Sequence, residues 1–161
     1  MFNYKAEFYL KIIFIFSFVA LISAYFIEHV LGHRPCNLCL IERVPYMLSI
    51  ILIFIIFFLE KNEKFIVLLL IITFIFSFAI STYHYGVESG IFEDPALCGL
   101  KNLNENITKE ALLKQLNENI VSCKDVTFRI FGLSLATVNI AISLVFIITL
   151  SKIYIKYEKN K

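Results

Sequence analysis

Four long apolar stretches, separated by short polar segments, set the pattern of this chain. Runs free of Asp, Glu, Lys and Arg cover Ile12–Ile27, Val44–Leu59, Phe65–Val87 and Ile130–Ser151. A helix crossing a bilayer needs about 20 apolar residues, with roughly 17 as the lower bound. The third and fourth runs meet this as they stand. The first meets it by taking in Leu10, or by running on to Leu31 past Glu28 and His29. The second meets it by extending back through Leu38–Ile41, which draws Glu42 and Arg43 to the edge of the hydrocarbon or into it. The pattern predicts an all-α membrane protein, a single antiparallel four-transmembrane-helix bundle with helices over about 10–31, 38–59, 65–83 and 130–151. Lys5, Glu7 and Lys11 precede the first run in the manner of a secretory signal. That run is longer than a signal's apolar region of about 7–15 residues, and Ser23-Ala24-Tyr25 is a poor cleavage site, so it is read as a span.

The polar segments punctuate these helices. Gly32 ends the first and Pro35 restarts the chain. Pro45 lies inside the second pattern and predicts a local kink. Glu60–Lys64 is a tight charged turn that permits only an antiparallel hairpin. Residues 84–129 form the one sizeable outer loop. Within it Thr108 can cap a short helix, with Leu112, Leu113, Leu116 and Ile120 at helical spacing. Such a helix suits the bilayer surface or a partner's groove.

Composition agrees with the pattern: 59% of residues are hydrophobic and 17% charged, against about 25% charged in soluble domains. The net charge of +2, without a long basic run or a Gly-rich phosphate loop, gives nucleic acid binding no support. No helix interior carries the charges or breaks of a transporter's substrate path. Lysines concentrate at the N-terminus, at 60–64 and at the C-terminal tail, so those ends are expected in the cytoplasm. All four cysteines, Cys36, Cys39, Cys98 and Cys123, then fall on the oxidising side, where disulfides persist.

Cys36 and Cys39 form a Cys-x-x-Cys unit at the head of the second span. One reading makes them half of a zinc site completed by Cys98 and Cys123, but structural zinc prefers a second close pair, and no metal is expected. A structural bridge between Cys36 and Cys39 would close too small a loop to stabilise much. Close pairs of this kind are typically redox-active, and Cys39 in the first helical turn is expected to gain thiolate character from the helix dipole. Arg43, four residues on, shares a face with Cys39. It can snorkel to the interface, or hold a polar head group at membrane depth. Glu42 is expected to rotate off that face and is assigned no role. His84, at the outer end of the third span, either flanks the same site or is an ordinary interfacial histidine. The Asn106-Ile107-Thr108 sequon is read as accidental. Two cysteine pairs on one face can relay thiol–disulfide exchange, although four cysteines allow three pairings.

At these residues the chain resembles the DsbB family of bacterial inner-membrane disulfide bond formation proteins. The likeness rests on four spans, the Cys-x-x-Cys before span two, Glu42-Arg43 after it, two loop cysteines, and Tyr83-His84-Tyr85-Gly86-Val87-Glu88. It implies a thiol:quinone oxidoreductase in which Cys36 and Cys39 pass electrons to a bound quinone, ubiquinone or menaquinone, with Cys39 next to its ring. Arg43 and His84 would bind the quinone. Cys98 would be attacked by a reduced periplasmic DsbA-like thioredoxin-fold partner, and Cys123 would resolve that mixed disulfide and pass reducing equivalents to Cys36. The vitamin K epoxide reductase family is the nearest competitor, but its loop cysteines precede the membrane pair and here the order is reversed. A non-enzymatic membrane scaffold with two structural bridges is the alternative from another class.

Overall fold

The computed structural model describes residues 4–59, 63–93, 123, 129–130 and 132–159. Helix α1 spans Tyr4–His29, α2 Asn37–Ile41, α3 Val44–Leu59 and α4 Glu63–Glu88. Two short strands, β1 (Arg129–Ile130) and β2 (Leu133–Ser134), pair antiparallel and lead into α5 (Leu135–Lys159). Four stretches are long and apolar enough to cross a membrane: Ala6–His29, Asn37–Phe58, Glu63–Glu88 and Leu135–Tyr157. The second combines α2 and α3. The protein is a four-helix membrane bundle, as the apolar runs predict.

Helix α4 is the pivot of the bundle. It packs most extensively on α5 and also on α3, while α1 leans on α3. Its buried positions Val67, Leu70, Phe74, Ser77, Ser81 and His84 recur three or four residues apart, which puts them on one stripe. Phe74 sits between Tyr46 and Phe146, their ring centroids 6.2 and 4.9 Å away at near-perpendicular tilts. Outside this core the large apolar side chains, among them Phe18, Phe54, Phe58 and Val145, are exposed, as a lipid-facing surface requires. Since lipid is as apolar as leucine, helices in a bilayer gain little by hiding apolar groups from it, and hydrogen bonds between them matter more. Among them are two buried serine pairs: Ser49 donates to Ser17 at 3.0 Å, joining α3 to α1, and Ser143 to Ser77 at 3.0 Å, joining α5 to α4.

The ends of the elements follow their residues. Gly32 adopts φ +72 after α1, a left-handed conformation that a Cβ disfavours. The break between α2 and α3 falls at Glu42–Arg43 rather than at Pro45 itself. Pro45 has no N–H to offer the carbonyl of Ile41 and its ring crowds that carbonyl, so the interruption lies upstream of the ring. The third span runs on to Glu88, five residues beyond the expected end at 83, and this brings His84 into the helix. The fourth begins at Leu135 instead of 130. Gly132 at φ +82 turns the chain between the strands, and Ser134 then caps the new helix by accepting from the Thr137 N–H at 3.2 Å. The surface helix expected near residues 108–120 lies outside the described residues.

Candidate functional site

Cys36 stands at the N-cap of α2, in an extended conformation, and its sulfur accepts the backbone N–H of Cys39 at 3.3 Å. A serine would normally fill this position. One turn of helix then returns the Cys39 side chain to the cap, and the two sulfurs lie 2.8 Å apart as free thiols. The benefit of the helix start, expected at Cys39, is therefore delivered to Cys36. A hydrogen bond from Cys39 and a second from His84, working against the upward push of burial, hold the Cys36 thiol down at about 4.

The break at Glu42–Arg43 decides where the next two side chains go. Glu42 turns into the bundle and is 8% exposed. One of its oxygens receives His84 Nδ1–H at 2.8 Å, and the other receives Asn139 Nδ2–H at 3.2 Å. Asn139 also donates to Ser81 Oγ at 2.7 Å and accepts from the Tyr46 hydroxyl. The far nitrogen of His84, Nε2, faces Cys36 Sγ at 3.5 Å, with Glu88 Oε1 3.6 Å away on the same side. Glu42, expected to rotate off the Cys39 face and assigned no role, is thus instead hydrogen-bonded to His84 and Asn139 within the site. Reading a continuous helical wheel from Cys39 fails because the helix is interrupted at Glu42–Arg43. Asn139, Ser81 and Tyr46 were not singled out in the sequence, where isolated polar residues inside apolar runs carry no sign of their partners.

Arg43 takes the other direction. Its Nη1 donates to Glu28 at 2.6 Å, and its guanidinium lies 5.0 Å from the centroid of the Tyr25 ring. Between α1, α2–α3 and α5 a cavity of about 230 Å³ opens beside it, with Ala24, Ile27 and Ile142 as apolar walls and Cys39, Glu42 and Arg43 on the polar side. His84 is not among its lining residues. It reaches the dithiol from the side of Cys36, so the pair stands between the imidazole and the cavity. Cys123 is disulfide-bonded and buried in an apolar cluster with Cys36, Leu38 and Val87. Cys98 lies outside the described residues.

Chemically, Glu42 acts on His84 as an orienting carboxylate acts on a catalytic histidine. With Nδ1–H committed to Glu42, Nε2 can take the Cys36 proton and then donate to the resulting thiolate. The two sulfurs and His84 Nε2, all within 4.8 Å of one another, also make a set of potential metal donors.

The chain is 29% identical over 147 residues to the uncharacterized protein RP370 of Rickettsia prowazekii, covering 90% of this chain and 86% of that one. Residues 6–152 match the family model described as disulfide bond formation protein DsbB, a stretch that contains all four spans' cores and all four cysteines. The chain therefore belongs to the DsbB family of membrane oxidoreductases in disulfide bond formation.

Proposed function

We propose that this protein reoxidises a periplasmic DsbA-like thioredoxin-fold protein and passes the electrons through its two cysteine pairs to a membrane quinone. The observation that carries the reading is the placement of one dithiol between two environments. Cys39 lines an apolar cavity, while Cys36 meets His84 and the cluster holding Cys123. The cavity suits a flat, mostly apolar ring with polar edges, since its walls are mainly apolar, with Phe16 and Tyr46 among the aliphatic side chains, and Arg43 stands at its polar side.

In this mechanism a thiolate of the reduced partner attacks Cys98 and displaces Cys123. The partner's second thiolate then closes the partner's own disulfide and releases Cys98. Cys123 attacks the oxidised Cys36–Cys39 pair at Cys36 and frees Cys39, and Cys98 then completes the exchange, leaving Cys36 and Cys39 reduced. Each step forms one S–S bond and breaks one. A quinone in the cavity supplies the final acceptor for two electrons and two protons. His84 holds the Cys36 proton at Nε2, and Glu42 keeps the imidazole in register. Re-forming the Cys36–Cys39 bond would pass the pair's two electrons and two protons to that quinone. Arg43 places a fixed positive charge where a head-group oxygen would sit. Lysine placement supports an inner-membrane location with both termini cytoplasmic and the dithiol face periplasmic.

The test mixes the purified protein in detergent with a reduced thioredoxin-like oxidase and a soluble quinone, and follows quinone absorbance. Quinone loss that vanishes in Cys39→Ser is expected. Absence of quinone loss, with the cysteine pairs unchanged throughout, would overturn the reading in favour of a scaffold.

A further inference from the structure

The surroundings of His84 are unusually rich in groups that favour a cation. Two carboxylates face one imidazole, Glu42 at Nδ1 and Glu88 at 3.6 Å from Nε2, and the thiol pair closes the same side. Arg43, adjacent to Glu42 in the chain, is turned instead to Glu28. Three potential ligand atoms, Cys36 Sγ, Cys39 Sγ and His84 Nε2, lie within 4.8 Å of one another.

Their spacing can be compared with what a metal demands. Zinc bonds of about 2.3 Å to sulfur and 2.0–2.1 Å to nitrogen, in a tetrahedron, put neighbouring donors roughly 3.5–3.8 Å apart. The 3.5 Å between Cys36 Sγ and His84 Nε2 meets this directly. The sulfurs, at 2.8 Å, need to part by roughly 1 Å to reach that spacing. The supporting shell is already built. Metal-binding histidines usually give their other N–H to a carboxylate, which fixes the tautomer and leaves the ligating lone pair free. Glu42 does this for His84, and Asn139 steadies Glu42 in turn.

We propose that the reduced Cys36–Cys39 pair and His84 bind one thiophilic divalent cation of the Zn²⁺ class, and that the bound cation blocks oxidation of the pair. Two thiolates and an imidazole suit Zn²⁺ over Mg²⁺ or Ca²⁺, which prefer oxygen. Binding releases two protons to solvent, one from Cys39 and the one that Cys36 shares with His84 Nε2, forms two S–metal bonds and one N–metal bond, and moves no electrons. A fourth position remains for water or Glu88. The disulfide form has no thiolates to offer, so cation and oxidant compete for the same sulfurs. A cation that binds the reduced form alone disfavours oxidation by the factor 1 + [M]/Kd. This site differs from a zinc centre completed by the loop cysteines, because Cys123 is already disulfide-bonded. It also stands apart from the quinone reading, since it needs only a reducible pair beside His84.

The test uses the full chain in detergent carrying Cys98→Ser and Cys123→Ser, so that two cysteines remain. The protein is reduced, freed of reductant and titrated with Co²⁺, which reports tetrahedral geometry and thiolate ligation in its visible and near-ultraviolet absorption. One equivalent with thiolate-to-cobalt absorption is expected, displaced by Zn²⁺ and absent after oxidation of the pair. His84→Ala is expected to weaken binding at least tenfold, and Glu42→Gln by 10–100-fold as for other outer-shell partners. His84→Gln replaces His84→Ala if the latter loses its helical circular dichroism. Zn²⁺ should also slow oxidation of the pair by diamide, a small thiol oxidant that bypasses the quinone, and a chelator should restore the rate. Missing thiolate-to-cobalt absorption in the reduced protein would overturn the proposal. So would affinity that is the same with and without His84, which would mean adventitious dithiol binding only.

Discussion

Replacing Glu42 with glutamine tests the link between the buried carboxylate and the nucleophile. The substitution keeps the shape and leaves an oxygen for His84 Nδ1–H, but removes the charge that favours imidazolium. A hydrogen bond to a charged group contributes about 1.5–3 kcal/mol and a neutral one about 0.5–1.5. The difference is about 1–1.5 kcal/mol, which corresponds to roughly one pH unit at 1.36 kcal/mol per unit. Weakening the imidazolium weakens the thiolate it supports, so the Cys36 midpoint should rise by about one unit from its value of about 4. The shift is partial because the hydrogen bond from Cys39, the largest contributor, is untouched. Since the folded protein favours the thiolate, this group's contribution to the stability of the reduced form is complete above the unfolded thiol's pKa and is lost as pH falls through about 4. The assay is the pH dependence of iodoacetamide labelling at Cys36, read by mass spectrometry on reduced, metal-free protein. Burial slows labelling at every pH alike and does not move the midpoint. A midpoint that stays in place or falls in Glu42→Gln would refute the carboxylate–imidazole–thiolate link.

Four further outcomes are expected. Cys36→Ser should abolish quinone reduction, and retention of normal turnover would sink the relay. Arg43→Ala should raise the apparent KM for quinone several-fold with a smaller change in kcat, and an unchanged quinone response would remove Arg43 from the cavity's chemistry. Asn139→Leu deprives Glu42, Ser81 and Tyr46 of their shared partner. With three interhelical bonds at about 0.6 to 1.7 kcal/mol each, it should cost roughly 2–5 kcal/mol in detergent unfolding, and wild-type stability would argue against the network. Gly86→Ala would place a Cβ against the Phe92 ring, which folds back over α4 and stacks on Tyr83 at 5.4 Å. Proteolysis near residues 90–93 should therefore increase, and an unaltered cleavage rate would show that the ring can move aside at no cost.

The spans could be read from the sequence because charge-free length is a sufficient signal for a helix in lipid. Their ends could not, since polar residues at a span's edge count as loop until their partners are known. His84 and Glu88 extend α4 because the bundle supplies Glu42 and Cys36 opposite them. The Cys-x-x-Cys pair and Arg43 were visible as a local pattern. Glu42 was misplaced because the effect of Pro45 on the preceding turn changes the direction of every later side chain. Asn139 lies 97 residues from Glu42, and no periodicity within either helix connects them. The two-residue strands before α5 are too short to leave an alternating pattern.

The serine pairs and the Asn139 network also act as detents along the bundle axis. Sliding α4 past α5 by one turn, about 5.4 Å, would separate Ser77 from Ser143 and Ser81 from Asn139 together, with no water at that depth to replace the lost partners. The same slip would carry His84 away from Cys36 and Glu42. The height of the imidazole relative to the sulfurs is thus locked to the register of the whole bundle. A substitution deep in the apolar interior can therefore alter thiol chemistry at the membrane edge without touching it.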